Sequence, residues 1–229
     1  HSPGTTTPEI DSRVKGTSFL HRLPGARRYY RALLPLYPRA AASLKLSGYD
    51  LVVSLSHAAA KNVDAGPGAY HICYCFTPMR YVWDQSRHYL GRAALPAWPL
   101  IKALRAWDVA ESRRVDCFAA ISSFVEARIR CFYHRRAAVI CPPVDTDWLT
   151  PAEEGVPGMA FLYAGALVPY KRVDLVVEAF NRLGAPLWIV GSGPLERKLR
   201  RCAGKNITFF GHVSDADLAG LYRSCRALI

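Results

Sequence analysis

Three places along the chain set polar side chains immediately after an apolar run. The first is Ser54-Leu55-Ser56-His57, with Lys61 one helical turn further on. A histidine beyond a buried strand can act as a general base or as a donor to a developing oxyanion; a hydrogen-bonded structural histidine is the plainer alternative. The second is the stretch from Cys73 to Asp84, CYCFTPMRYVWD. Arg80 and Asp84, at helical spacing, can simply pair on a helix surface. Arg80 and Tyr81 directly after a strand also suit a cleft wall for an anionic or sugar ligand.

The third is Ala164 to Arg172 (AGALVPYKR), followed after a helix by Val190-Gly191-Ser192-Gly193-Pro194-Leu195-Glu196. Lys171 and Arg172 fall between a strand and a helix N-terminus, where cationic side chains and free backbone N–H groups converge. Such an arrangement can hold a phosphate or diphosphate without a metal. Gly191 and Gly193 follow the next strand and would let a ligand approach the backbone. Two ordinary turns between strand and helix are the alternative.

The elements that must position these residues can be read from periodicity. Strands are expected near 49–56, 69–76, 117–121, 138–141, 159–167, 187–190 and 206–213, with another opening at 226–229. Helices are expected over 98–114, from an N-cap at Ser123 with Glu126 completing a capping box, over 173–183 and 194–202, and after a cap at Ser214. Strands spaced by helices argue for an α/β chain with parallel sheets. The best linker candidate is 143–157, which holds Pro143-Val144-Asp145, Thr150-Pro151 and Glu153-Glu154-Gly155. It separates a unit over 1–142 from one over 158–229, where the pattern restarts.

Composition narrows the function classes. Of 229 residues, 51% are apolar and 21% charged, which excludes a disordered chain. No stretch approaches the ~18 apolar residues of a spanning helix. The chain starts at His1 without an export-type leader, and is read as a soluble chain trimmed at both ends. Seven cysteines without C-x-x-C spacing argue against zinc and fit a reducing, cytoplasmic setting. The 30 Lys and Arg against 18 Asp and Glu give a net charge of +12, which favours anionic partners. The excess reads as spread along the chain. Between 20 and 40, the basic aromatic stretch LHRLPGARRYYRALLPLYPRA reads either as packed helices or as an interfacial segment, with Arg27, Arg28 and Arg31 meeting phosphates and Tyr29, Tyr30 and Leu33 entering lipid.

Six stretches taken together, 73–84, 118–129, 140–149, 163–183, 189–199 and 207–229, resemble the family 4 (group 1) glycosyltransferases of GT-B fold. The resemblance is strongest to a mannosyltransferase-like branch of bacterial surface-polysaccharide pathways. It implies two Rossmann-like parallel-sheet domains, both incomplete here, with the acceptor held by the first, a nucleotide-sugar by the second, and transfer in the cleft between them. It implies a metal-independent transferase without cofactor that moves a hexose from a GDP- or UDP-sugar to a saccharide or lipid-linked saccharide, with retention of configuration. By family pattern, Lys171 with Arg172 contacts the donor diphosphate, the Gly191–Gly193 loop lines the nucleotide pocket, and His57 serves catalysis in the cleft. Lys61, Arg80 and Tyr81 are assigned to the acceptor side. The implied setting is cytoplasmic, with contact to the inner leaflet.

Two departures from that pattern stand out: Phe76 replaces a usual His, and Ala166 replaces a frequent Arg. The acidic E-x7-E region that contacts the donor in such enzymes is expected past Ile229, so the fragment is expected to be inactive and its full-length parent active. The alternatives are a binding remnant without catalysis, or a basic nucleic-acid binder. The second would show a steep salt slope with oligonucleotides but lacks any helix-turn-helix, zinc or RNA-binding signature. A nicotinamide dehydrogenase fails at Leu195–Glu196, where the third glycine of G-x-G-x-x-G is missing.

Overall fold

The computed structural model describes residues 8–26, 33–86, 96–151 and 158–229. Among the described residues, short runs of aliphatic, aromatic, Ala and Cys residues form eight strands, all paired in parallel within two separate sheets of four. The chain divides accordingly into two units, His1–Pro142 and Pro143–Ile229.

In the first unit the strands β1 (Leu51–Ser56), β2 (Tyr70–Cys75), β3 (Cys117–Ala120) and β4 (Ala137–Val139) lie in sequence order. Ser56 pairs with Cys75 and Cys75 with Ala120, so the chain leaves one end of the sheet side by side at His57, Phe76 and Ile121. Its helices are α1 (Pro8–Ser12), α2 (Tyr37–Ala42), α3 (Arg80–Trp83), α4 (Trp98–Ser112) and α5 (Ser123–Tyr133). The α5 stripe of Val125, Ile129 and Tyr133 packs with Cys73, Cys75, Phe118 and Ala120 of the sheet. Its N-cap is Ser122, one residue earlier than expected, whose Oγ accepts from the Val125 N–H at 3.3 Å. Glu126 closes no capping box and instead pairs with Arg130.

The expected Arg80–Asp84 pair is also replaced. Asp84 meets Arg128 of α5 at 2.5 Å, because α3 ends at Trp83 and turns Asp84 toward α5. Of the basic aromatic segment, residues 27–32 lie outside the described residues, and with them the arginines and tyrosines assigned to an interface.

Buried His71 on β2 sets Nε2 2.9 Å from Ser54 Oγ, and its backbone N–H donates to Asp116. Burial lowers its pKa, outweighing the opposing charge of Asp116. The unfolded chain, with an ordinary histidine near about 6.5, therefore takes up the proton first as pH falls. The stability contributed by neutral His71 is complete above that value and is lost as pH drops toward the lower folded pKa. We expect thermal midpoints to fall from about pH 7 to 5.5, with a shallower fall in His71→Gln. Identical slopes in both proteins would contradict it.

The second unit carries β5 (Phe161–Ala164), β6 (Leu187–Val190), β7 (Ile207–Gly211) and β8 (Ala227–Leu228) in the order β7-β6-β5-β8. Helices α6 (Val173–Leu183), α7 (Glu196–Cys202) and α8 (Asp215–Ser224) connect them. Of the stripe Val173, Val176, Val177, Phe180 and Leu183 expected on one face of α6, Val173, Val177 and Phe180 are buried with Leu167, Leu187, Ile189, Leu199 and Ile207, Val176 packs against them, and Leu183 at the end of the helix is 65% exposed. Ser214 caps α8 as read, accepting from the Asp217 N–H at 3.1 Å. The predicted linker is in part docked structure. Arg223 of α8 donates to the carbonyls of Trp148 and Thr150, at 3.3 and 3.2 Å, while 152–157 lie outside the described residues.

Charge follows the same division, against the expectation of an even spread. The first unit holds 20 Lys and Arg against 9 Asp and Glu, the second 10 against 9. Among the described residues no helix is long and apolar enough to cross a membrane.

Candidate functional site

The order β7-β6-β5-β8 has a direct consequence for where a ligand binds. The connection leaving β5 runs to β6 on one side, whereas β8 is added on the other, so the strand order reverses between β5 and β8. In open parallel sheets ligands bind outside the carboxyl ends of the strands at such a switch point. The residues found there are Gly165 to Arg172.

Two loops at this end are bonded to each other. The Gly165 N–H donates to Val190 O, the Leu167 N–H to Ser192 O, and the Leu195 N–H to Leu167 O, at 3.0, 3.0 and 3.1 Å. This contact by itself calls for glycine at both positions. A Cβ on Gly191, whose φ is +122°, would stand 2.1 Å from Gly165 O, and one on Gly193 would stand 2.5 Å from Leu167 O. The neighbouring loop thus makes a close approach of its own at both glycines. Beneath it Tyr163 donates its hydroxyl to Ala166 O at 3.3 Å, and burial raises its phenol pKa.

The loop then tightens into a 3-10 turn, Pro169–Lys171, and Arg172 takes a left-handed conformation (φ 51°) before α6 begins. Its guanidinium grips Asp174 through Nε–Oδ1 and Nη2–Oδ2 contacts of 3.1 Å each. That grip holds the Asp174 carboxyl below its usual range and raises the arginine's own pKa. The two cations expected to act together are thus unequal. Arg172 is already matched by a carboxylate, whereas Lys171 is exposed and forms no ion pair among the described residues. Lys171 stands beside the N-terminus of an eleven-residue helix, where N–H groups and the helix dipole also favour an anion.

In the first unit, His57 is exposed at the carboxyl end of β1. Phe76 lies one strand away, 37% exposed and edge-on to Tyr74, and bonds Ser56 O through its backbone N–H. Arg80, exposed, and Tyr81, half-buried, open α3 shortly after. Lys61 departs from its assignment to the acceptor side. Its side chain is 1% exposed, with Nζ 2.5 Å from Asp108 Oδ1 and 2.7 Å from Asn62 Oδ1. A cation so enclosed faces core, not solvent, so it lines no open cleft.

Asp108 and its further partners, Trp83 Nε1 and Tyr133 OH, each 2.8 Å from Oδ2, were missed in the sequence. The available signal was the buried stripe Ile101, Leu104, Asp108, Ser112 on α4, which places an acid in a core register. Among the described residues no group of three or more His, Cys, Asp or Glu side chains converges as a metal site would.

Residues 154–229 match the family model described as glycosyl transferases group 1. The chain is 37% identical over 128 residues to the O-antigen chain mannosyltransferase C of Escherichia coli, covering 50% of this chain and 34% of that protein. It is 32% identical over 73 residues to the D-rhamnosyltransferase WbpZ of Pseudomonas aeruginosa, covering 30% and 19%. These matches thus span about a third or less of each curated relative. Among solved structures, the apo form of the lipopolysaccharide outer core galactosyltransferase WaaB aligns over 86% of this chain and 54% of its own, with a TM-score of 0.52 at 18% identity. That likeness concerns the fold, which is the two-sheet α/β GT-B architecture expected from the sequence.

Proposed function

We propose that this chain, whose residues 154–229 match the group 1 glycosyl transferase model, belongs to a protein that transfers a hexosyl group from a nucleoside-diphosphate sugar to a saccharide or lipid-linked saccharide. The observation that carries this is the unmatched Lys171 at the switch point of the second sheet, beside the N-terminus of α6. When the bond between the anomeric carbon and the diphosphate oxygen breaks, negative charge collects on the departing diphosphate. The Lys171 ammonium and the first N–H groups of α6 offset it, with no metal ion in that role. His57, exposed at the end of β1, is the group on the acceptor side that can take or give a proton.

We infer that the donor is a GDP- or UDP-hexose and that configuration is retained. The concentration of positive charge in the first unit favours an anionic acceptor presented at the cytoplasmic membrane face.

A thermal-shift panel of UDP, GDP and ADP tests the donor assignment. A nucleotide at a hundredfold excess over its Kd stabilises by about 2.7 kcal/mol, so one of the three is expected to raise the midpoint by several degrees. Duplex DNA is expected to leave it unchanged in 0.15 M salt. A shift with DNA and none with the nucleotides would reverse the assignment.

A further inference from the structure

The charged centre of the first unit does more than fill a core. Four elements converge on one carboxylate: the 3-10 turn Ala60–Asn62, α3, α4 and α5. Asp108 on α4 is wholly buried, with Lys61 on one oxygen and Trp83 and Tyr133 on the other. Lys61 in turn closes the segment that follows β1. Its backbone N–H donates to Ser56 Oγ, which itself donates to Ala58 O, each at 3.3 Å. His57 sits at the exposed tip of that closed segment.

Resting on the transferase function proposed above, we infer that Asp108 is a positioning residue that fixes the His57 segment against the Arg80–Tyr81 turn. Trp83 lies in the same single turn of helix as Arg80 and Tyr81, so one carboxylate registers both acceptor-side groups to a shared point. Two physical facts favour geometry over stability as the reason for the arrangement. Buried ion pairs are commonly no better than well-packed apolar replacements, because desolvation offsets their attraction. The Asn62 amide, whose Oδ1 receives Lys61, leaves its own buried Nδ2 without a partner among the described residues. An arrangement chosen for stability alone would not leave a buried donor unpaired beside its charges.

The double variant Lys61→Met with Asp108→Asn separates the two roles. The new amide oxygen can still accept from Trp83 and Tyr133, so α3, α4 and α5 remain tied, while the link to the His57 segment is cut. Amide exchange at residues 61 and 62 is expected to accelerate roughly tenfold or more. The His57 ring resonances should shift or broaden, while the ring of His212 in the second unit and the amides of β3 remain as in the wild type. In the transfer assay kcat should fall about tenfold with the donor KM unchanged.

Wild-type exchange at 61–62 with an unmoved His57 ring overturns the inference. So does loss of β3 protection together with that of 61–62, which marks a purely structural role, and so does an unchanged kcat. The exchange and resonance measurements do not require sugar transfer, so they decide the positioning even if the proposed reaction is wrong.

Discussion

Lys171→Ala is expected to lower sugar transfer about 10²–10³-fold, the loss seen when one preorganised donor to a developing anion is removed. That corresponds to about 2.7–4 kcal/mol of transition-state stabilisation, more than a solvent-exposed lysine contributes to folding. The fold should be indifferent, because the side chain is exposed and unpaired among the described residues, and such substitutions usually stay within about 0.5 kcal/mol. Arg172→Ala should cost less activity than Lys171→Ala, since its guanidinium is already given to Asp174. With Ala166 where an Arg is frequent, the other cation of that loop is Arg172, which is already given to Asp174. Lys171→Arg keeps the charge on a different geometry and should recover part of the rate. Near-normal turnover in Lys171→Ala, or a larger loss in Arg172→Ala, removes Lys171 from the reaction.

What could be read from residues alone was whatever depends on local periodicity. The Ser214 cap and the α6 stripe as far as Phe180 are set within a few positions of sequence, and the structure shows both, while Leu183 at the helix end turns out exposed. The switch point was not legible in this way. It depends on β8, a two-residue strand that pairs with β5 across more than sixty intervening residues. The Lys171 loop was found from its basic residues before a helix, but its place at the point where the strand order reverses follows only from strand pairing.

The glycines illustrate a different limit. Gly191 and Gly193 announce that something comes close to the backbone, yet sequence cannot say whether it is a ligand or, as here, the carbonyls of Gly165 and Leu167. Lys61 shows a third. A lysine just past a strand is ordinarily exposed, and its enclosure depends on a partner on α4, far along the chain. The helical spacing that put Asp108 among Ile101 and Leu104 was visible, but it has meaning only once an opposing cation is known.

That enclosure predicts the largest stability effect in the molecule. Asp108→Ala strands the Lys61 ammonium in the core with only Asn62 Oδ1 at 2.7 Å and the Tyr133 ring at 4.9 Å. It also removes the acceptor of Trp83 Nε1 and Tyr133 OH. Burial and the adjacent carboxylate push the Tyr133 phenol well up, so it remains a donor at every working pH and is left unpaired in the variant. Breaking one side of a buried pair costs about 3–5 kcal/mol, a large share of the roughly 5–15 kcal/mol that holds a domain folded. For a unit of this size the thermal midpoint should drop on the order of 10 °C.

Lys61→Met should cost less, because Asp108 keeps two of its three donors, and the double variant Lys61→Met with Asp108→Asn should cost least. Urea unfolding of the three proteins measures that order directly. An Asp108→Ala variant within about 1 kcal/mol of wild type would mean that water reaches Lys61, since only hydration could replace a lost buried partner so cheaply.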